Sequence, residues 1–133
     1  MITRSVTVAK IRREYWQQIA DGRKRFEVRD KDVTYESQAF VFMGAVTGEH
    51  LGNARILQCT TFGGYDASSW DWSMLSKLVD VPIHELKELF PVAVKLGDKA
   101  YDEYDMHVYE IEPISDGELM HTLLADLPQN RLN

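Results

Sequence analysis

The sequence predicts one mixed α+β domain. Short β-rich runs alternate with apolar stripes at helical spacing, and turn residues separate them. The length of 133 residues is that of a single domain able to bury a core without metal or disulfide staples. The hydrophobic content of 44% is that of an ordinary globule, and no stretch reaches the roughly eighteen apolar residues of a membrane span. The first residues lack the apolar segment of a secretory signal, and Cys59 has no second cysteine to pair with, so a cytoplasmic location is expected. Cys59 itself is expected to pack as a small apolar side chain.

Val6-Thr7-Val8 is the first strand-like run. Ile11, Tyr15 and Ile19 then recur at i, i+4 and i+8 with Trp16 beside them, which predicts an amphipathic helix over 12–21 with its aromatics in the core. Gly22 follows at the place where a left-handed residue ends a helix. From Arg25 the alternation has period two, with Phe26 and Val28 on one face and Arg25, Glu27 and Arg29 on the other. The polar stretch 30–37 reads as a loop. Residues 38–43 and 54–62 read as the strands of a hairpin with a connection over 44–52.

Gly63-Gly64 breaks the pattern, and Ser68-x-x-Asp71 caps a helix carrying Trp72, Leu75, Leu78 and Val79. One of Trp70 and Trp72 is expected to pack inward. A second short helix starts at Pro82, carries Ile83, Leu86, Leu89 and Phe90, and ends at Pro91. The acidic stretch 95–106 matches no calcium-loop spacing and reads as a solvated loop. His107–Ile114 alternates as a closing strand. Ser115-Asp116-Gly117-Glu118 is a capping box ahead of Leu119, Leu123, Leu124 and Leu127. Residues 1–114 thus form the body of the domain and 115–133 its C-terminal helical extension, a surface that could also face a partner.

The stretch that concentrates chemistry is Gly22-Arg23-Lys24-Arg25-Phe26-Glu27-Val28-Arg29, at the junction of helix and strand. Its carboxylate can accept hydrogen bonds from a ligand's amino groups, and its cations can meet phosphate or carbonyl oxygens. By spacing alone, the same charges read more readily as a solvated strand face beside a helix C-terminus. Gly22-x-Lys24-x-x-Glu27-x-Arg29, after the helical run 15–21, resembles the G-x-K-x-x-E-x-R signature of the ASCH domain family (activating signal cointegrator homology), a branch of the PUA-like small β-barrels. The resemblance covers residues 6–29 and, more loosely, a terminal strand near 107–113. It implies a small twisted β-barrel with flanking helices and a cleft over the motif that binds RNA or a nucleoside. The ligand-binding residues it implies are Gly22, Arg23, Lys24, Glu27 and Arg29, to which we add Tyr109 on the terminal strand.

Some small bacterial members of that family are amidohydrolases that deacylate N4-acetylcytidine-like nucleosides, and they look similar over Gly22-Arg23-Lys24 and Arg29-Asp30. That likeness makes Lys24 the principal catalytic candidate, polarising the amide carbonyl or acting as a base, with Glu27 beside it. The chain departs from those enzymes twice. Glu27 stands where they have threonine, and their catalytic glutamate falls near Val79 or Asp80. A metal-dependent ribonuclease, as among other relatives, is a further alternative.

The charge is divided unevenly. Residues 1–31 hold nine Lys and Arg against four acids, +5, and the remainder six against seventeen, −11, for a net charge of −6. That total argues against coating long nucleic acid by charge alone, while the cationic quarter suits a local anion-facing patch. The four histidines lack ligand spacing, and no phosphate-cradling glycine loop is present, so neither metal nor cofactor is expected. His107 reads as a structural residue, and Thr60 and Thr61 as strand residues placed to line a cleft. The expected function is therefore a binding module for RNA or a nucleoside. A nucleoside amidohydrolase and a protein-interaction domain using the acidic body or the last helix are the alternatives.

Overall fold

The computed structural model describes residues 5–30, 37–62, 72–91 and 106–124. The Ser68-x-x-Asp71 cap, Trp70, Leu127, the greater part of the loop expected over 30–37 and all but the last residue of the acidic stretch lie outside the described residues. The elements are β1 (Ser5–Ile11), α1 (Arg13–Ala20), β2 (Phe26–Arg29), β3 (Ser37–Gly44), β4 (His50–Phe62), α2 (Trp72–Val79), α3 (Ile83–Leu89), β5 (Met106–Ile114) and α4 (Asp116–Leu124). The five strands hydrogen-bond in the order β1-β3-β4-β5-β2. β1 runs parallel to β3, whereas β3–β4 and β2–β5 are antiparallel. This is the α+β class that the residue pattern predicts.

The chain divides into two compact units, Met1–Lys24 with Val33–Leu57 and Ile111–Asn133, and Arg25–Asp32 with Gln58–Glu110. β4 and β5 each run from one unit into the other.

In the first unit α1 buries Tyr15 and Ile19, the stripe read from the sequence, alongside Ile11, Ala39, Phe40, Phe42 and Ala54. Full burial of side chains of this size contributes about 1.5–3 kcal/mol each. Phe40 and Phe42, two apart on β3, stack with ring centroids 5.1 Å apart. Trp16 tilts over Phe42 at 5.9 Å. Its indole lies across Gly52, the residue opposite Phe42 on β4, and a methyl group there would overlap the ring. Trp16, half-buried, packs against this core rather than projecting from it as a free stacking platform. The connection between β3 and β4 is shorter than predicted because β4 begins at His50 and Gly52 lies within the strand.

The capping box forms: the Glu118 N–H donates to Ser115 Oγ at 3.1 Å, and the Ser115 N–H donates to Glu118 Oε1 at 3.2 Å. No residue of α4 is fully buried, and Met120 and Leu124 are exposed, so its leucines form a weaker stripe than their spacing suggests. Polar bonds hold this helix instead. Buried Asn53 donates to Asp116 Oδ1 at 2.6 Å and is bonded to His50 Nε2 at 2.9 Å. Arg55 donates to Glu112 at 2.8 Å and to Thr122 at 3.1 Å.

In the second unit α2 packs against β2 and α3. Leu75, Val79, Val81, Leu86 and Phe90 are buried there, as are Val28, Met106 and Val108. Asp80, with φ +54°, ends α2, a conformation that Asp tolerates better than most side chains. Ser76 Oγ donates to the Val81 carbonyl at 2.7 Å and closes the turn into α3, whose N-cap is Pro82. Trp72 is half-buried, with the Lys87 ammonium 5.9 Å from its ring. Cys59 is exposed, contrary to expectation, because residues 57–61 of β4 all face solvent and position outweighs residue type.

Replacing Gly52 with alanine should displace Trp16 and cost about 1–3 kcal/mol, the usual penalty of overpacking. Urea unfolding of Gly52→Ala checks this, and an unchanged midpoint would contradict the packing of Trp16 on Gly52.

Candidate functional site

The motif begins where α1 stops. Asp21 is the C-cap, and Gly22 takes the left-handed conformation with φ +83°, as its position predicts. Its N–H donates to the Ile19 carbonyl at 3.1 Å, and the Lys24 N–H donates to the Gln18 carbonyl at 2.9 Å. Two carbonyls that the last turn leaves without helical partners are thereby satisfied. The Asp21 carboxylate accepts from the Arg23 backbone N–H at 3.1 Å and from Arg23 Nε at 2.8 Å. Both side chains are exposed, so the pair contributes little to stability. It does hold the Arg23 guanidinium at the turn.

Lys24 is 3% exposed, which is rare for lysine. Its Nζ lies 5.7 Å from the centre of the Tyr15 ring, and the Arg12 guanidinium carbon lies at the same distance from that ring. Tyr15 therefore serves both as core and as a π surface for two cations. Gly22, Arg23 and Lys24 belong to the first unit.

Glu27, Arg29 and Tyr109 belong to the second unit, where the β2–β5 ladder brings them together. Glu27 pairs with Tyr109 and Arg29 with His107, while Phe26 pairs with Glu110 and Val28 with Val108. Cross-strand partners share a face. One face thus carries Glu27, Arg29, Tyr109 and His107, and the other Phe26, Val28, Val108 and Glu110. Glu27 and Tyr109 are buried, and Arg29 and His107 half-buried. The rings of His107 and Tyr109 are tilted, with centroids 6.4 Å apart. Thr61 Oγ1 and His107 Nδ1 share a hydrogen bond of 3.0 Å.

The two carboxylates of this ladder differ. On the far face, Glu110 has a partner for each oxygen: Gln58 Nε2 donates to Oε2 at 2.8 Å, and Arg25 approaches Oε1 at 3.4 Å. Glu27 does not. Its Oε1 lies 3.6 Å from Arg29 Nε, an ion pair longer than a hydrogen bond, and among the described residues its buried Oε2 has no hydrogen-bond partner. The Glu27 side chain is only 9% exposed. A buried carboxylate oxygen without a donor carries a desolvation cost that the fold does not offset locally.

His107 adjoins the candidate residues of β2 and β5. It reads as structural taken alone, yet it stands two residues from Tyr109 on a period-two strand and so shares its face. Its bond to Thr61 spans 46 positions and depends on strand register that the sequence does not display. Of the positions nearest the amidohydrolases' glutamate, Val79 is fully buried and Asp80 is exposed at the end of α2. Among the described residues, no three of His, Cys, Asp or Glu converge to hold a metal ion, and no helix is long and apolar enough to cross a membrane.

Neither a family model nor a curated protein matches the chain by sequence. Solved structures do match in fold. The crystal structure of ASCH from Zymomonas mobilis aligns with a TM-score of 0.54 at 13% identity, covering 86% of this chain and 76% of that one. The hypothetical protein PH0355 aligns with a TM-score of 0.55 at 19% identity, covering 83% of this chain and 100% of that one. The chain shares its fold with these two structures. A small twisted barrel-type sheet with flanking helices, implied by the motif, is thus also what the structural likeness shows.

The pairing of Glu27 with Arg29 is measurable. Removing Arg29 alone leaves a buried carboxylate with neither oxygen faced by this cation, so Arg29→Gln should destabilise by about 1–3 kcal/mol, less than a fully buried pair because Arg29 is partly solvated. The double variant Glu27→Gln/Arg29→Gln should lose less than the sum of the single losses. Strict additivity in urea unfolding would show that the two side chains are not coupled.

Proposed function

We propose that this protein binds RNA or a nucleoside through the Gly22–Arg29 motif. Lys24 and Arg29 meet phosphate or carbonyl oxygens, and Glu27 accepts hydrogen bonds from the ligand's donors. Gly22 and Arg23 shape the turn that leads into Lys24, and Tyr109 supplies an aromatic surface. The observation that carries the proposal is the β2–β5 face, where a carboxylate, a guanidinium, an imidazole and a phenol ring are neighbours in one ladder. Single-stranded RNA and nucleosides are recognised by such combinations of stacking, base-edge bonds and phosphate contacts. The fold shared with ASCH proteins agrees with this reading, as does the cationic excess of the first 31 residues over an acidic remainder.

Hydrolysis of an N4-acylated cytidine by Lys24 is the less favoured reading. Glu27 occupies the threonine position of those enzymes, and Asp80, nearest to their glutamate, is held in a left-handed turn at the end of α2. We place the protein in the cytoplasm, with residues 115–133 as an extension of one domain. α4 carries exposed Met120 and Leu124 and is the surface to which a protein partner would be assigned if nucleic acid fails.

Calorimetric titration of short RNAs and nucleosides into wild type, Lys24→Ala and Glu27→Ala tests the proposal. Each variant should bind at least about tenfold more weakly, a loss of roughly 1.4 kcal/mol. Wild-type affinity in both variants would overturn it. Release of acetate from N4-acetylcytidine, abolished in Lys24→Ala, would favour the hydrolase instead.

A further inference from the structure

We infer that the ligand read by this face carries an exocyclic amino group that donates to Glu27 Oε2, so that the site takes amino-bearing bases over their oxo counterparts. The inference rests on the binding proposal above and specifies the ligand class. It starts from the asymmetry between the two carboxylates of the β2–β5 ladder.

Glu110 shows what a carboxylate in this unit looks like when protein groups satisfy it: an amide donates to one oxygen and a guanidinium approaches the other. Glu27 is more deeply buried than Glu110, at 9% against 19% side-chain exposure, yet only its Oε1 faces a cation. Oε2 is buried, and no described protein group donates a hydrogen bond to it. An N–H brought to that oxygen makes a charge-assisted bond in a setting of low dielectric.

A base carbonyl presented at the same place would set two acceptors against each other and leave both unpaired. Sites built around a buried acceptor reject analogues that lack the donor far more strongly than apolar pockets reject a methylene. Rotation about the terminal torsion of a glutamate is soft, so the carboxylate can turn toward an incoming donor without moving β2.

The test compares cytidine with uridine and adenosine with inosine, pairs in which an amino group becomes an oxo group and the adjacent ring nitrogen gains a proton, by calorimetry on the full chain. Wild type should bind at least one amino member about ten- to a hundredfold more tightly than its oxo partner. Dimethylating the amino group of that member removes its donors and should bring its affinity down to the oxo level. Glu27→Gln, whose amide can donate as well as accept, should reduce the preference to less than about threefold. Equal affinities within both pairs, or an undiminished preference in a folded Glu27→Gln, would overturn the inference while leaving the binding proposal standing. Absence of binding to every nucleoside and to short RNAs would remove the binding proposal and this inference together. The dimethylated ligands need no variant, so the test holds even if Glu27→Gln does not fold.

Discussion

A largely buried ion pair between Glu27 and Arg29, too long at 3.6 Å to be a hydrogen bond, is the interaction around which β2 is organised. Two residues apart on a strand of four, the carboxylate and guanidinium necessarily share a face. Burial makes the unpartnered Oε2 expensive, and a fold selected for stability alone would supply a donor or replace the acid with an apolar side chain. Glu110, a neighbour on the other face of the same ladder, has such partners. The contrast lies within one pair of strands, so it reflects the wiring of these residues rather than a general shortage of donors.

The rest of the architecture bears on how firmly that face is held. Behind it, Val28 and Val108 are opposed across the ladder, and α2 packs against β2. A one-residue slip of β2 on β5 would exchange these valines with the charged set, so burial of the apolar face fixes the register. In the first unit, the left-handed Gly22 ends α1 and the Lys24 amide closes on the Gln18 carbonyl, which sets where the helix gives way to the chain leading into β2. Trp16 pressed on Gly52 anchors that helix to β4. The resulting chain of constraint runs from an aromatic packed on a glycine, through a capped helix end, to the start of the Gly22–Arg29 stretch.

Local signals made much of this readable in advance. The helical pair Tyr15 and Ile19, the left-handed Gly22, the alternation over Phe26–Arg29 and the Ser115–Glu118 box are encoded within a few residues, and each forms, whereas Ile11 ends β1 and Arg25 reaches Glu110 on the opposite face. What escaped was non-local. The Thr61–His107 bond depends on strand register, the partial satisfaction of Glu27 depends on what fails to reach it, and the role of Gly52 depends on a tryptophan 36 positions away. Cys59 was misjudged because its type favours burial, while its end of β4 is exposed. The leucines of α4 suggested an apolar seam, yet Asn53 and Arg55 do more to hold that helix, through bonds whose partners lie more than 50 residues along the chain.

The central claim is that the β2–β5 face is where this protein meets its ligand. The most direct measurement is a backbone-amide NMR titration with cytidine monophosphate, with adenosine monophosphate run in parallel. The account predicts that the resonances that move cluster at Lys24–Arg29 and His107–Glu110, with Arg29 Nε among them. Saturable binding that leaves those residues still and shifts another surface would contradict it.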